Sequence, residues 1–234
     1  GVRVVRNVAL SFSLISSYRD GACPSFDYGR YWSDALLQGV AASAVAKALR
    51  LANPPEAYVV GLLRDIGKLA FACIHSQKYS AILAKVNGMS ASEILDEETT
   101  VFGIHHAELG EMMLRDWGMP EQLGRAVGLA DSPEKSESAR DDQLRKYGTI
   151  LSLSRLVGNA CTASEGTPAV EACAAAVNRL CQRGMSEEEA KRLLEDATSE
   201  WKGWSDALGI GTKSSATGSP PVKTLVGQAT ASPG

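Results

Sequence analysis

Three charged side chains interrupt an otherwise apolar stretch of this sequence. Their types and spacing are those of a site that could bind a ligand or catalyse a reaction. Arg64, Asp65 and Lys68 lie within residues 58–71, YVVGLLRDIGKLAF, where apolar residues would cover nearly every side of a helix. This pattern predicts one buried central helix. Burying an ionised group without a partner costs several kcal/mol. These side chains must therefore pair with opposite charges or face a water-filled cavity. The sequence therefore predicts a site, active or vestigial, at Arg64 and Asp65.

The phrase LLRDIGKL in this segment resembles the LLHDIGKL signature of the HD superfamily. In that superfamily a His-Asp pair on a buried helix binds divalent metal for phosphoester hydrolysis. Residues 101–127, VFGIHHAELGEMMLRDWGMPEQLGRAV, resemble the matching stretch of HDOD domains, the HD-related output domains of bacterial signalling proteins. Residues 1–14 and 26–49 also resemble segments of HDOD domains. The similarity runs from about Gly1 to about Trp201.

The resemblance places the ligand positions of an HD metal centre on this chain. A hydrolytic centre needs several His or carboxylate ligands that converge and leave one position for water. Two positions keep the ligand residue of the superfamily, Asp65 and His106. The remaining positions hold Asp34, Arg64, Asp131 and Arg155. Arginine stays protonated and cannot bind a metal ion. The resemblance thus implies a degenerate site with no catalytic residue and no cofactor, in which Asp65 and His106 are the ligands if any metal binds.

The same substitutions predict that an ion-pair cluster replaces the metal. In this hypothesis the guanidinium groups supply the positive charge that the metal supplies elsewhere in the superfamily. The predicted cluster consists of Asp34, Arg64, Asp65, Lys68, His106, Asp131 and Arg155. A plainer interpretation of His106 is a hydrogen-bonded residue at the start of a helix.

Composition and charge limit the classes of function. The net charge of −3 gives no basis for electrostatic capture of nucleic acid. No apolar run of about 18 residues and no basic-then-apolar leader occurs, so the sequence predicts neither a membrane span nor secretion. The five cysteines include no CxxC pair, which favours reduced thiols in a cytoplasmic protein over disulfides or zinc.

The periodicity predicts an all-α protein with a disordered tail. The resemblance implies that the helices form a compact multi-helix bundle of HD type. The predicted helices, besides the central one, are 2–18, 28–51, 76–86, 90 or 92 to 102, 105–117, 121–130, 144–161, 169–182 and 186–201. Residues 1–202 are predicted to form the helical domain. Residues 203–234, rich in Gly, Ser, Thr and Pro, are predicted to form a flexible linker or tail. The chain begins inside a predicted helix, so we expect a fragment that lacks the N-terminal helices of the family.

Two classes of function follow from the resemblance. The first is a non-catalytic bacterial signal-transduction module, which acts through a protein partner or a covalently attached signalling domain. The second is a metal-dependent phosphohydrolase or phosphodiesterase with unusual ligands. A third alternative is an anion- or nucleotide-sensing domain whose cavity is lined by Arg64, Lys68 and Arg155. The sequence gives no indication of oligomeric state.

Overall fold

The computed structural model describes residues 21–86, 89–163 and 166–210, with the side chain of Glu137 excepted. The helices in these ranges are α1 (Tyr28–Ala48), α2 (Pro54–Leu62), α3 (Ile66–Ile74), α4 (Ser76–Leu83), α5 (Ala91–Phe102), α6 (His106–Asp116), α7 (Glu121–Gly128), α8 (Pro133–Glu137), α9 (Asp142–Thr162), α10 (Thr167–Cys181) and α11 (Glu187–Leu208). The described residues contain no strand, which confirms the all-α prediction. None of these helices is long and apolar enough to cross a lipid bilayer. The helix predicted at residues 2–18 lies outside the described residues.

The segment 58–71 is two helices joined by a turn, so the prediction of one central helix is wrong. Helix α2 ends before residues 63–65, and α3 begins after them. The amides of Arg64 and Ile66 each donate to the carbonyl three residues earlier, at 3.3 and 3.1 Å. Hydropathy could not reveal this break, because the residues on both sides of it are apolar. In a continuous helix, Arg64 and Asp65 would point about 100° apart; the turn allows both to face one cluster.

Helix α1 forms the centre of the core, and α2 crosses it at close range. Trp32, Leu36 and Val40 on α1 are fully buried. A Cβ atom added at Gly61 would lie 2.4 Å from the carbonyl oxygen of Gln38, so the two backbones meet where only glycine fits. This contact fixes the end of α2 and therefore the position of the charged turn that follows it.

The last helix is longer than predicted. The capping box predicted at Ser186 and Glu189 is present, but α11 continues past Trp201 to Leu208. The predicted domain boundary after residue 202 consequently falls inside a helix. Trp201 donates its indole N–H to the carbonyl of Ser33 at 3.0 Å, which anchors α11 against α1. Residues 211–234, most of the predicted tail, lie outside the described residues.

Gly67 sets the separation between α3 and α6. A Cβ atom at this position would lie 1.9 Å from the backbone carbonyl oxygen of His106. We expect Gly67→Ala to lower the free energy of unfolding by about 1–3 kcal/mol, because two packed helices must move apart. Denaturant unfolding would measure this loss.

Gly203→Ala is the matched control for this prediction. Gly203 lies inside α11 with nothing near its Cβ position, so alanine there should stabilise by about 0.5–1 kcal/mol. Equal effects of the two substitutions would contradict the proposed close contact between α3 and α6.

Candidate functional site

Asp131, in the turn between α7 and α8, is the centre of a buried group of charges. Its Oδ1 atom accepts hydrogen bonds from Arg64 at 2.9 Å and from Arg155 at 2.6 Å. Its Oδ2 atom lies 3.1 Å from Nε2 of His106. The side chain of Arg64 is 6% exposed and that of Asp131 is 8% exposed. Three separate parts of the fold, the α2–α3 turn, α6 and α9, are therefore joined through one carboxylate.

Asp65 occupies the partly exposed side of this group. Its Oδ2 atom accepts from Arg64 at 3.2 Å, and its Oδ1 atom pairs with Lys68 at 2.8 Å. The same Oδ1 atom is 3.9 Å from Nε2 of His106. Asp65 thus lies between two cations and the imidazole, and Lys68 connects the group to solvent.

Glu98 is a member of the site that the sequence analysis missed. It is 0% exposed, and its Oε2 atom accepts from the backbone N–H of His106 at 2.8 Å and lies 2.6 Å from His106 Nδ1. The hydroxyl of Tyr79 donates to the other carboxylate oxygen at 3.4 Å. From the sequence alone, Glu98 cannot be distinguished from an acidic residue on the solvent-exposed face of a helix. The available signal was its spacing, since Ile94, Glu98 and Phe102 lie four residues apart on the inner face of α5.

The structure brings together six of the seven residues of the predicted cluster and leaves Asp34 apart. Arg64, Asp65, Lys68, His106, Asp131 and Arg155 are connected by the contacts above. The side chain of Asp34 is 52% exposed, and its ion pair is with Arg30, at 3.7 Å, one turn earlier on α1. Asp34 lines a cavity next to Asp65 but has no ion pair with the cluster in the part of the chain that the structure describes. The resemblance to the family therefore identifies the helix that carries Asp34 but not the partner of its side chain.

Burial and charge act in opposite directions on the acids of the cluster. Burial alone would raise the pKa of Asp65, but Lys68, Arg64 and His106 outweigh it and lower that pKa far below its usual range. The pKa of Asp131 is likewise lowered against the effect of burial, by the hydrogen bond from His106 and by the charge of Arg64. Both carboxyl groups are therefore ionised at neutral pH.

Burial would lower the pKa of His106, but its hydrogen bonds to Asp131 and Glu98 outweigh burial, so the pKa is raised above 6.5. Each ring nitrogen faces a carboxylate, an arrangement that the imidazolium form satisfies with two donated hydrogen bonds. A doubly protonated ring has no lone pair to offer a metal ion.

The comparisons with known proteins place the chain in a family. A family model described as HDOD domain matches residues 1–133, more than half of the chain. The chain belongs to the HDOD family. The family resemblance stated from the sequence is thereby confirmed. The comparison with curated proteins gives no match.

Solved structures agree with the HDOD assignment. The MmoQ response regulator from Methylococcus capsulatus str. Bath, known from a crystal structure, is 30% identical in sequence to this chain. The two structures align with a TM-score of 0.64, and the alignment covers 83% of this chain and 72% of the MmoQ chain. An HDOD domain protein from Geobacter sulfurreducens is 16% identical, with a TM-score of 0.66 and coverages of 89% and 72%. A protein assigned provisionally as a phosphohydrolase, from Shewanella amazonensis SB2B, is 16% identical, with a TM-score of 0.67 and coverages of 87% and 73%. The last two similarities show the fold alone.

The site of this HDOD domain does not fit the divalent metal that the HD resemblance implies. Asp65, His106 and Asp131 do offer ligand atoms within 4.8 Å of one another. However, both oxygens of Asp65 and both of Asp131 already contact a guanidinium, an ammonium or the imidazole. The carboxylates of Asp65, Asp131 and Glu98 are balanced by Arg64, Lys68 and Arg155 before the charge of His106 is counted. A divalent cation would add two positive charges where the charge is already balanced.

The opposite pKa shifts in the cluster predict how the stability of the protein depends on pH. Because the pKa of His106 is raised in the folded protein, its contribution to the free energy of unfolding is complete below pH 6.5. This contribution is lost as the pH rises through the raised pKa. Because the pKa values of Asp65 and Asp131 are lowered in the folded protein, their contribution to the free energy of unfolding is complete above pH 3.8. This contribution is lost as the pH falls through the lowered pKa values. We therefore expect the free energy of unfolding to be greatest between these two limits.

Unfolding at a series of pH values would test this profile on a matched pair of variants. The loss on the alkaline side should be absent in His106→Gln and retained in His75→Gln, because the His75 side chain is exposed. If His106→Gln keeps the alkaline loss, the raised pKa of His106 is not its source.

Proposed function

We propose that this HDOD domain is a non-catalytic bacterial signal-transduction module that works through contacts with a protein partner or an attached signalling domain. One observation carries the proposal: the side chains that could bind a metal are already engaged, Asp65 and Asp131 by Arg64, Lys68 and Arg155, and His106 by carboxylates at both ring nitrogens. With its ligands engaged in this way, the former metal site acts as a structural cluster, a vestige of the hydrolytic centre.

The function assigned to one similar protein supports the signalling part of this proposal. MmoQ, which is 30% identical to this chain, is a response regulator. A domain that acts through contacts with other proteins needs a rigid fold to present a defined surface. The cluster supplies this rigidity here, because it ties the α2–α3 turn to α5, α6 and α9 through buried charges. Location in the cytoplasm of a bacterium is part of the proposal.

A metal-dependent phosphohydrolase is the second candidate, and the convergence of Asp65, His106 and Asp131 favours it. For a metal to enter, the side chains of Arg64 and Arg155 would have to leave Asp131, and the imidazole of His106 would have to give up a hydrogen bond to a carboxylate. Removing a buried guanidinium from its carboxylate is costly, so the geometry ranks this candidate below the signalling module.

Metal content separates the two candidates. Elemental analysis of the chain purified without chelator is expected to show far less than one equivalent of manganese, iron, zinc or nickel. EDTA is expected to leave the melting temperature unchanged, because no bound metal stabilises the fold. Cross-linking of the chain in its native cells, followed by capture, should then recover a signalling protein.

Stoichiometric metal would overturn this proposal. In that case hydrolysis of bis(p-nitrophenyl) phosphate should be measured for the wild type and for Asp65→Ala and His106→Ala. Activity that both substitutions abolish would establish the hydrolase.

A further inference from the structure

A cavity apart from the charged cluster lies where the first turns of α9 meet the segments that follow α1 and α10. Its volume is about 440 Å³. Pockets that hold small molecules occupy roughly 300–1,000 Å³, so this cavity is large enough for one. Leu49 and Leu51, which follow α1, supply the apolar part of its wall. No residue of the charged cluster lines it, so a ligand here would not compete with the ion pairs of that cluster.

The polar part of the wall is basic. Asp142, Arg145, Lys146 and Thr149 lie on one face of α9, because they are spaced three and four residues apart. Arg183, which follows α10, also lines the cavity. The lining side chains therefore carry three positive charges and one negative charge, an excess of two positive charges.

The carboxylate of Asp142 holds two of these cations side by side. Its Oδ1 atom lies 2.8 Å from Nη2 of Arg145, and its Oδ2 atom lies 2.7 Å from Nζ of Lys146. Nη1 of Arg145 also donates to the carbonyls of Ala139 and Arg140, at 2.9 and 3.1 Å. These bonds use three of the five N–H donors of the guanidinium and one of the three donors of the ammonium. Both cations are therefore held in place with donors left for a ligand.

Thr149 is an independent indication of a ligand. The residue is 6% exposed and lines the cavity, yet its hydroxyl has no hydrogen-bond partner among the described residues. It is not one of the described polar side-chain atoms that are both enclosed and unpartnered, so it opens onto the cavity. Other threonines within helices donate to the carbonyl four residues earlier, namely Thr99, Thr100, Thr162 and Thr198. The Thr149 hydroxyl is therefore free to donate to a ligand beside the two cations.

We propose that this cavity binds a phosphomonoester, a phosphate dianion carried on a small apolar group. Arg145, Lys146 and the hydroxyl of Thr149 donate hydrogen bonds to the phosphate oxygens, and the two leucine side chains contact the apolar group. The excess of two positive charges matches the charge of the dianion. Two sources share this chemistry, a free phosphomonoester and a phosphorylated side chain of a protein partner. The inference goes beyond the proposed signalling function and does not depend on whether the charged cluster binds metal.

Ligand-detected NMR with the whole 234-residue chain tests the proposal. The probes are phenyl phosphate, inorganic phosphate, neutral benzyl alcohol and cationic benzylamine. Phenyl phosphate is expected to bind with a Kd on the order of 0.1–1 mM, because so small a ligand has few contacts. Benzyl alcohol and benzylamine are expected to bind at least about tenfold more weakly, because neither offers a negative charge to the two cations. Inorganic phosphate should bind about threefold to tenfold more weakly, because it has no apolar group to contact the leucines.

Three variants locate the binding. Lys146→Gln should weaken phenyl phosphate binding by about tenfold or more, and Thr149→Val by about threefold to tenfold. Thr149→Val should leave the melting temperature unchanged or higher, because the lost hydroxyl has no partner among the described residues. Lys191→Gln is the matched control for Lys146→Gln. Lys191, like Lys146, pairs with an acid four residues earlier, at the first residue of a long helix, and its loss should leave binding unchanged.

Asp142→Asn should change the affinity in the opposite direction. Without this carboxylate the lining has three positive charges and no negative charge, and Arg145 and Lys146 keep more donors for the ligand. Phenyl phosphate is therefore expected to bind about threefold to tenfold more tightly. A merely structural role of the Asp142–Lys146 pair would lower the melting temperature of both variants, but it would not move their affinities in opposite directions.

A further probe distinguishes the two sources of the phosphate. If Nα-acetyl-O-phosphotyrosine amide binds as well as phenyl phosphate, the cavity admits a phosphorylated side chain of a protein partner. If only phenyl phosphate binds, the ligand is a free phosphomonoester. The proposal is overturned if phenyl phosphate does not bind, if benzylamine binds as tightly, if Lys146→Gln has no more effect than Lys191→Gln, or if Asp142→Asn weakens binding.

Discussion

Replacing Arg64 with alanine is expected to lower the free energy of unfolding by about 3–5 kcal/mol, the cost of breaking a buried ion pair. The guanidinium group contacts both Asp65 and Asp131, and 6% of the side chain is exposed, so water cannot take its place. In Arg64→Ala, Asp131 keeps Arg155 and His106 but loses its more deeply buried guanidinium group. Thermal and urea unfolding of the variant and the wild type would measure the loss.

Arg192→Ala is the matched control for the loss of an arginine charge. Arg192 is 82% exposed and lies 4.0 Å from Asp196, so its removal should have no measurable effect on stability. The pair Arg64→Ala and Asp131→Ala adds a further check. Since both single variants remove the same Arg64–Asp131 ion pair, the double variant should lose less than the sum of the two single losses. An unchanged melting temperature in Arg64→Ala would show that the cluster does not stabilise the fold.

The sequence predicted the buried charges at Arg64 and Asp65 because ions within an apolar run leave few alternatives. It could not show that the chain turns at residues 63–65, since apolar residues on both sides hide the break. The turn results from tertiary contacts: Gly61 fixes α2 against α1, and Gly67 fixes α3 against α6. Neither contact can be predicted from the hydropathy pattern.

The two errors in the candidate site have a common physical origin. Asp34 was placed in the cluster and Glu98 was left out because sequence position indicates the helix but not the direction of a side chain. Glu98 is held inside by three hydrogen-bond donors, one of them the backbone of His106, whereas Asp34 is half exposed and its ion pair is with Arg30 on the same helix. Long-range partners of this kind decide which acids are buried, and a single sequence does not reveal them.

If guanidinium groups have replaced a metal, then removing them should restore metal binding. The double variant Arg64→His/Arg155→Asp brings an imidazole and a carboxylate toward Asp65, His106 and Asp131. It also makes the formal charge of the cluster more negative by three units. Two added ligand groups and three units of charge are expected to tighten manganese binding by about a hundredfold or more, equivalent to about 2.8 kcal/mol.

Calorimetric titration with MnCl2 and the melting temperature at increasing MnCl2 concentration would measure this gain. The apo variant should be less stable than the wild type, because its carboxylates repel one another without a cation. At a manganese concentration about a hundredfold above Kd it should regain about 2.7 kcal/mol, since the metal binds the folded state. Adding Asp131→Asn to the double variant should remove most of the gain, because Asp131 is the carboxylate that both guanidinium groups contact. If manganese binds the double variant no better than the wild type, these side chains do not surround a former metal position, and the cluster is a structural ion-pair network of independent origin.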